Sequence, residues 1–286
     1  MIELGGSLTV LKQRVITAVI MVVPISVGII GLSALWLAGL FAALVLMAAW
    51  EWAALAGLIS FCSKTIFILG SALLMVVAAW YSQLFDNAVI WDRVQDIIGL
   101  GCLWWAIALL WVRSFPASVV IWQSTFMRVL MGLLTLIPTW LALVYLRLHE
   151  HGIELIFILF ALVAAADIGA YFTGRAWGKT PLAPAVSPGK SWVGFGGGLA
   201  SSSMLACILW LLFRTSEHSL LPVLVIAVVT ALAAVLGDLL ESMVKRQQGV
   251  KDSGRILPGH GGMLDRIDSI TAAAPVFALC IMLAGW

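Results

Sequence analysis

Apolar runs of about twenty residues, separated by short polar stretches, recur along the whole chain. In hydrocarbon only segments whose backbone groups are satisfied internally survive, so each run predicts a membrane-crossing helix. The run 15–50 holds no charged residue and has room for two helices hinged near 31–33. Later runs predict helices over 65–85, 97–112, 129–146, 153–174, 191–213, 219–237 and 269–286, the fourth of these interrupted by Asp167. Nine spans result. The stretch 114–127, with Pro116 inside it, is too short to span and is assigned to the membrane interface. Lys12 and Arg14 stand before the first run as they would in a secretory signal. That run is too long for a signal's apolar core, so it is expected to stay as a helix.

Composition agrees. Of 286 residues 63% are hydrophobic and 10% charged, and the mean hydropathy is +1.10, where soluble domains hold about 45–50% apolar and about 25% charged residues. The expected fold is therefore an all-α polytopic membrane protein forming a single integral membrane domain over 1–286. Within it 1–150 is mainly lipid-soluble helix, with Glu51 between Trp50 and Trp52 at an interface, and 151–286 holds most of the polar residues that helix packing does not explain. A net charge of +2 gives no reason to expect nucleic acid. With a cytoplasmic N-terminus, thirteen of the sixteen Lys and Arg residues fall on inner segments, leaving only Arg93, Arg147 and Arg214 outside, as the positive-inside rule requires. Cys62, Cys102, Cys207 and Cys280 stand singly in apolar stretches and read as small packed hydrophobes.

Polar chemistry concentrates in 242–268, SMVKRQQGVKDSGRILPGHGGMLDRID, between the last two spans. A basic anchor for the final span would account for its lysines and arginines. It would not account for PGHGG followed by Asp265 and Asp268, which lie one turn apart on one face of a helix start. Together with Asp238 in LGDLLES they offer three hard oxygen donors suited to Mg²⁺ or Mn²⁺. An acid at a membrane boundary is a site candidate by default, although a helix-end carboxylate in headgroup water is the plainer reading of Asp238. For Asp167, in ADIGAYFTGR, the plainer reading is an interhelical hydrogen bond. A second cluster, Ser187-Pro188-Gly189-Lys190-Ser191-Trp192, opens a predicted span and would set backbone N–H groups, a lysine and two hydroxyls around a phosphate. It is not a P-loop, because Pro184 stands where that motif needs its first glycine.

The run 242–268 resembles the signature of the phosphatidate cytidylyltransferases, or CDP-diacylglycerol synthases: S-x-x-K-R-x4-K-D-x-G-x-x-[LI]-P-x-H-G-G-x-x-D-R-x-D. It matches at Ser242, Lys245, Arg246, Lys251, Asp252, Gly254, Leu257, Pro258, His260, Gly261, Gly262, Asp265, Arg266 and Asp268. The segments around Asp167, Ser187 and Asp238 resemble the bacterial members of that family, while the N-terminal spans match in hydropathy alone. The resemblance implies that CTP and phosphatidic acid give CDP-diacylglycerol and pyrophosphate, at a cytoplasm-facing site in a bacterial inner membrane. It implies Mg²⁺ or Mn²⁺ on Asp238, Asp265 and Asp268, with a second cation left open. Asp265, Asp268, Lys245 and His260 would be catalytic. Ser187, Lys190, Ser191, Arg246, Lys251, Asp252, Arg266 and Asp167 would bind substrate. Membrane lipids are expected around the chain, and a homodimer is left open.

Two other readings compete. A CTP-dependent polyprenol kinase would phosphorylate an alcohol, and the intact HGGxxDRxD run favours cytidylyl transfer over it. A secondary transporter would carry its charges near mid-bilayer in two inverted halves, whereas here they are expected on the cytoplasmic face. A CDP-alcohol phosphotransferase would need a DGxxAR motif that the chain lacks.

Overall fold

The computed structural model describes residues 22–85, 89–213, 219–254 and 261–286, and in them the apolar runs are helices. α1 (Val22–Gly31) is followed by α2 (Ala34–Leu55), α3 (Phe61–Tyr81), α4 (Trp91–Arg113), the single-turn α5 (Val119–Trp122) and α6 (Thr125–Leu148). α7 (Gly152–Trp177) leads into β1 (Pro181–Ala183) and β2 (Ser187–Ser191), followed by α8 (Trp192–Phe213), α9 (Leu220–Gln247) and α10 (Leu264–Ala284). Among the described residues eight helices, α2–α4 and α6–α10, are long and apolar enough to cross a membrane. The two-residue break between α1 and α2 falls at the predicted hinge. The start of the first predicted span lies outside the described residues.

α4 begins six residues before its predicted start at Ile97, and three segments of the C-terminal half also depart from expectation. α9 runs ten residues beyond the predicted end at Gly237, and α10 begins five residues before its predicted start. Both predictions stopped at acids. Those acids have partners inside the protein, and a paired carboxylate need not end a helix. The third departure is β1–β2, a small antiparallel hairpin pairing Pro181 with Ser191 and Ala183 with Ser187. Ser187 and Lys190 therefore lie on a strand rather than on the opening turn of α8. Ser191 meets that turn instead: its Oγ accepts from Gly194 N–H at 3.1 Å, satisfying one of the unpaired donors of a helix start.

α6 is the central helix and the most deeply buried of the eight. Without a hydrophobic drive between helices in lipid, close backbone approach and interhelical hydrogen bonds hold such a bundle. Thr139 Oγ1 of α6 donates to the Thr271 carbonyl of α10 (2.8 Å) and Trp140 Nε1 to the Ala38 carbonyl of α2 (3.0 Å). Gly101 of α4 lies where a side chain would strike Pro138 of α6. α7 and α8 pack through small residues, Gly169 against Ser201 and Gly198 against the Ala166 carbonyl. That contact sets the hairpin joining them beside α9. Leu69, Leu73 and Val76 of α3 and Leu211 and Leu212 of α8 stay on the outer surface, as lipid-facing residues should.

The helices have two distinct ends. At one, Trp52 Nε1 donates to the Arg128 carbonyl (2.8 Å) and Arg128 Nη1 to the Leu55 carbonyl (3.4 Å). At the other, Arg147 Nη2 donates to the Leu32 carbonyl (3.1 Å), and the His149 ring lies 2.6 Å from the Trp286 carbonyl. The hairpin, the end of α9 and the start of α10 share the first end. Trp286 is at the second.

Candidate active site

α9 supplies one polar stripe. Asp238, Glu241, Ser242 and Lys245 recur at i, i+3, i+4 and i+7 and so share a face. Ser242 Oγ donates to Asp238 Oδ1 at 3.1 Å, and Lys245 Nζ donates to Glu241 Oε2 at 3.0 Å. The first turn of α10 faces this stripe. Lys245 Nζ reaches Asp265 Oδ1 at 2.7 Å, so one buried ammonium joins two helices. The helices can approach because Gly237 stands where a Cβ would strike the Asp268 carbonyl.

Asp265 is the organiser of the α10 start. Besides Lys245 its carboxylate accepts from Ser253 N–H (3.2 Å to Oδ1 and 3.0 Å to Oδ2) and from Gly262 N–H (2.8 Å). The Gly262 bond, reaching back three residues, ties the loop to the first turn of α10. Asp268 lies deeper. Its Oδ1 accepts from Ser269 N–H at 2.7 Å, and it lies against Glu241.

The hairpin brings a second lysine to the cluster. Lys190 of β2 pairs with Asp238 Oδ2 at 2.5 Å, both side chains being a little under a third exposed. Asp167 of α7 lies near enough to both to feel their charge. Arg246 Nε donates to the Val186 carbonyl at 3.1 Å, pinning the hairpin to the end of α9. With a rise of 1.5 Å per residue, Asp238 lies about 14 Å and Asp167 about 15 Å below the ends of their helices. Asp167 is thus inside its span, as the sequence placed it, whereas Asp238 lies well below the helix end at which the sequence put it.

The sequence-predicted residues therefore fall into groups. Asp167, Lys190, Asp238, Lys245, Asp265 and Asp268 converge. Ser187 and Ser191 lie on β2 beside them. Arg246, Lys251, Asp252 and Arg266 are exposed at the same end. His260 lies outside the described residues. Two acids were not foreseen. Glu241 was legible as the i, i+4 partner of Lys245. Glu51 was not, since it stands in an apolar helix about two hundred residues from the loop. It is buried, and it accepts from Ser253 Oγ (3.0 Å), Met263 N–H (3.1 Å) and Leu264 N–H (2.8 Å).

The charge balance decides what such a site can hold. Asp167, Asp238, Glu241, Asp265 and Asp268 outnumber the two lysines, Lys190 and Lys245, in a partly desolvated setting. Glu241 Oε1 is buried without a hydrogen-bond partner among the described residues. A cluster of hard oxygen donors suits a divalent cation. Among the described residues no three acidic, imidazole or thiol side chains form a ready cage. Mg²⁺ seldom needs one, since it is usually held by one or two carboxylates plus water and substrate phosphate. The donor set fits.

Comparison with known proteins gives a consistent answer. A family model described as the cytidylyltransferase family matches residues 12–284. A phosphatidate cytidylyltransferase of Pseudomonas aeruginosa is 43% identical over 277 residues, covering 96% of this chain and 98% of the relative. Another, of Haemophilus influenzae, is 38% identical over 283 residues, covering 94% of this chain and 97% of the relative. One from Brucella suis is 46% identical over 140 residues, about half of each chain.

Proposed function

Because the chain belongs to the cytidylyltransferase family, we infer that it transfers the cytidylyl group of CTP to phosphatidic acid, giving CDP-diacylglycerol and pyrophosphate. It is a membrane-embedded nucleotidyltransferase of phospholipid biosynthesis. The observation that carries this reading is the Lys190–Asp238 pair beside Lys245 and the α10 carboxylates. Anion-binding and cation-binding groups stand together there, below the ends of apolar helices, where a lipid phosphate and a nucleotide could meet.

The chemistry asks little of a base. A phosphate-monoester oxygen of the lipid is already anionic near neutral pH. It attacks the α-phosphorus of CTP in line, and the bond from that phosphorus to the bridging oxygen of the β-phosphate breaks. Pyrophosphate departs with the electron pair. Catalysis then rests on positioning and on neutralising charge. A bound Mg²⁺ would supply charge neutralisation and orientation of the phosphates, with Asp238 and Asp268 as its holders and Asp265 as a further carboxylate. Lys190, on a half-exposed strand, would exchange Asp238 for a phosphate of CTP. Arg246, Lys251 and Arg266 stand at the exposed end, where a lipid headgroup lies. Ser191 uses its oxygen to accept from Gly194 N–H, which leaves its hydroxyl hydrogen to donate to phosphate.

The helix ends that carry the site would face the cytoplasm of a bacterial inner membrane, where CTP is dissolved. The thirteen inner basic residues support that orientation. Membranes containing the protein, given CTP, phosphatidic acid and Mg²⁺, should form CDP-diacylglycerol and pyrophosphate in equal amounts. CTP-dependent phosphorylation of a polyprenol without CDP-diacylglycerol would overturn this reading in favour of the kinase.

A further inference from the structure

A helix start leaves its first four N–H groups without intrahelical partners, and a buried start must find them elsewhere. α10 begins buried: Met263 and Leu264 are 5% and 1% exposed. Its own cap residue, Met263, makes no side-chain cap bond. The acceptor comes from α2. Glu51 is 3% exposed, and its Oε1 takes Met263 N–H while its Oε2 takes both Leu264 N–H and Ser253 Oγ–H. Its charge meets the positive end of the α10 dipole. Two glycines of the signature are shaped around the same carboxylate. The three atoms nearest a Cβ on Gly254 would all belong to Glu51, and one on Gly262 would strike Glu51 and Ser253. Gly254 does not adopt the left-handed backbone that favours glycine. Its lack of a side chain is therefore explained by Glu51.

We propose that Glu51 is a positioning residue of the transfer reaction: it clasps both flanks of the signature loop, 253–254 and 262–264, and so fixes where Asp265 and Asp268 stand. The clasp works through shared partners. Ser253, held by Glu51 through its hydroxyl, gives its N–H to Asp265, and Gly262, beside Glu51, gives its N–H to the same carboxylate. Release of Glu51 frees the α10 start, and the Asp265–Lys245 link then loses its fixed geometry. The N-terminal half is thus part of the site rather than a membrane anchor for it. The inference rests on the cytidylyl-transfer reading for its kinetic arm alone.

The test is a double-mutant cycle on the full chain in membranes or detergent. Glu51→Gln keeps the volume and one acceptor oxygen, so an amide NH₂ must face a backbone N–H. Glu51→Ala removes every acceptor. Since an error of about 1 Å in such a site can cost about 100-fold in rate, kcat should fall about tenfold in Glu51→Gln and about 100-fold in Glu51→Ala. KM for CTP and for phosphatidic acid should move less than about threefold, because the lost interaction acts on turnover. Gly254→Ala should be about as damaging as Glu51→Ala in the wild-type background and nearly harmless in the Glu51→Ala background, where its methyl fills vacated space. Independently of substrate, amide hydrogen exchange over 262–264 should accelerate in both Glu51 variants and in Gly254→Ala. Additive losses in the cycle, or unchanged exchange at 262–264 in Glu51→Gln, would overturn the clasp. Wild-type kcat in Glu51→Gln with accelerated exchange would overturn its role in positioning. If the wild type forms no CDP-diacylglycerol, the functional reading fails, and the exchange arm still decides the clasp.

Discussion

Replacing Lys245 by Met is the sharpest perturbation the site offers. The side chain is 11% exposed and lies 3.0 Å from Glu241 (2% exposed) and 2.7 Å from Asp265 (9% exposed). At an effective dielectric of about 20, each contact is an attraction of about 5–6 kcal/mol. Desolvation of the three charges offsets much of that sum, so the net worth of the triad is small. Removing the ammonium alone is a different matter, because two buried carboxylates are then left facing each other, at a cost of roughly 3–5 kcal/mol. With about 2.1 cal/mol/K of unfolding entropy per residue, a chain of this length should lose roughly 5–8 °C in Tm. Thermal unfolding of the purified protein in detergent, followed by tryptophan fluorescence, measures this. Adding Glu241→Gln to Lys245→Met removes one of the stranded charges and should recover at least half of the loss. A Tm for Lys245→Met within 1–2 °C of wild type, roughly the error of such scans against the shift expected, would refute the reasoning. So would a double variant less stable than the single one.

Other predictions follow from the same geometry. Asp238→Asn and Asp265→Asn should abolish CDP-diacylglycerol formation while leaving folded protein in the membrane, since a neutral amide is a poor substitute for a charged oxygen donor; wild-type rates at low Mg²⁺ in either would show the carboxylate to be dispensable. Lys190→Ala should raise KM for CTP more than for phosphatidic acid, and Arg246→Ala should do the reverse, read from saturation curves for each substrate. Equal shifts would mean a shared phosphate cradle. Because Trp286 and the site lie at opposite ends of the helices, a reporter fused after Trp286 should be active on the periplasmic side only.

The sequence by itself determined the class of fold and most of its helices. Uncharged runs of spanning length have no soluble alternative, and the predicted hinge at 31–33 coincides with the break between α1 and α2. It also marked Lys190, Asp238, Asp265 and Asp268, because acids and lysines in so apolar a chain stand out by cost alone. It misjudged α9 and α10, because an acid in a sequence looks like a helix end until its partner is known, and the partner of Asp265 is twenty residues away on another helix. Placing Lys190 on a strand depended on the pairing of β1 with β2, which no pattern of apolar residues records. Glu51 shows the limit most clearly. Between two tryptophans it reads as an interfacial acid, and only the packing of α2 against the start of α10 makes it the acceptor for two backbone amides of a loop more than two hundred residues away. Helix formation in lipid is a local property, governed by hydropathy over about twenty residues. Which carboxylate caps which helix is decided by long-range contact, and contact exists only in the folded bundle.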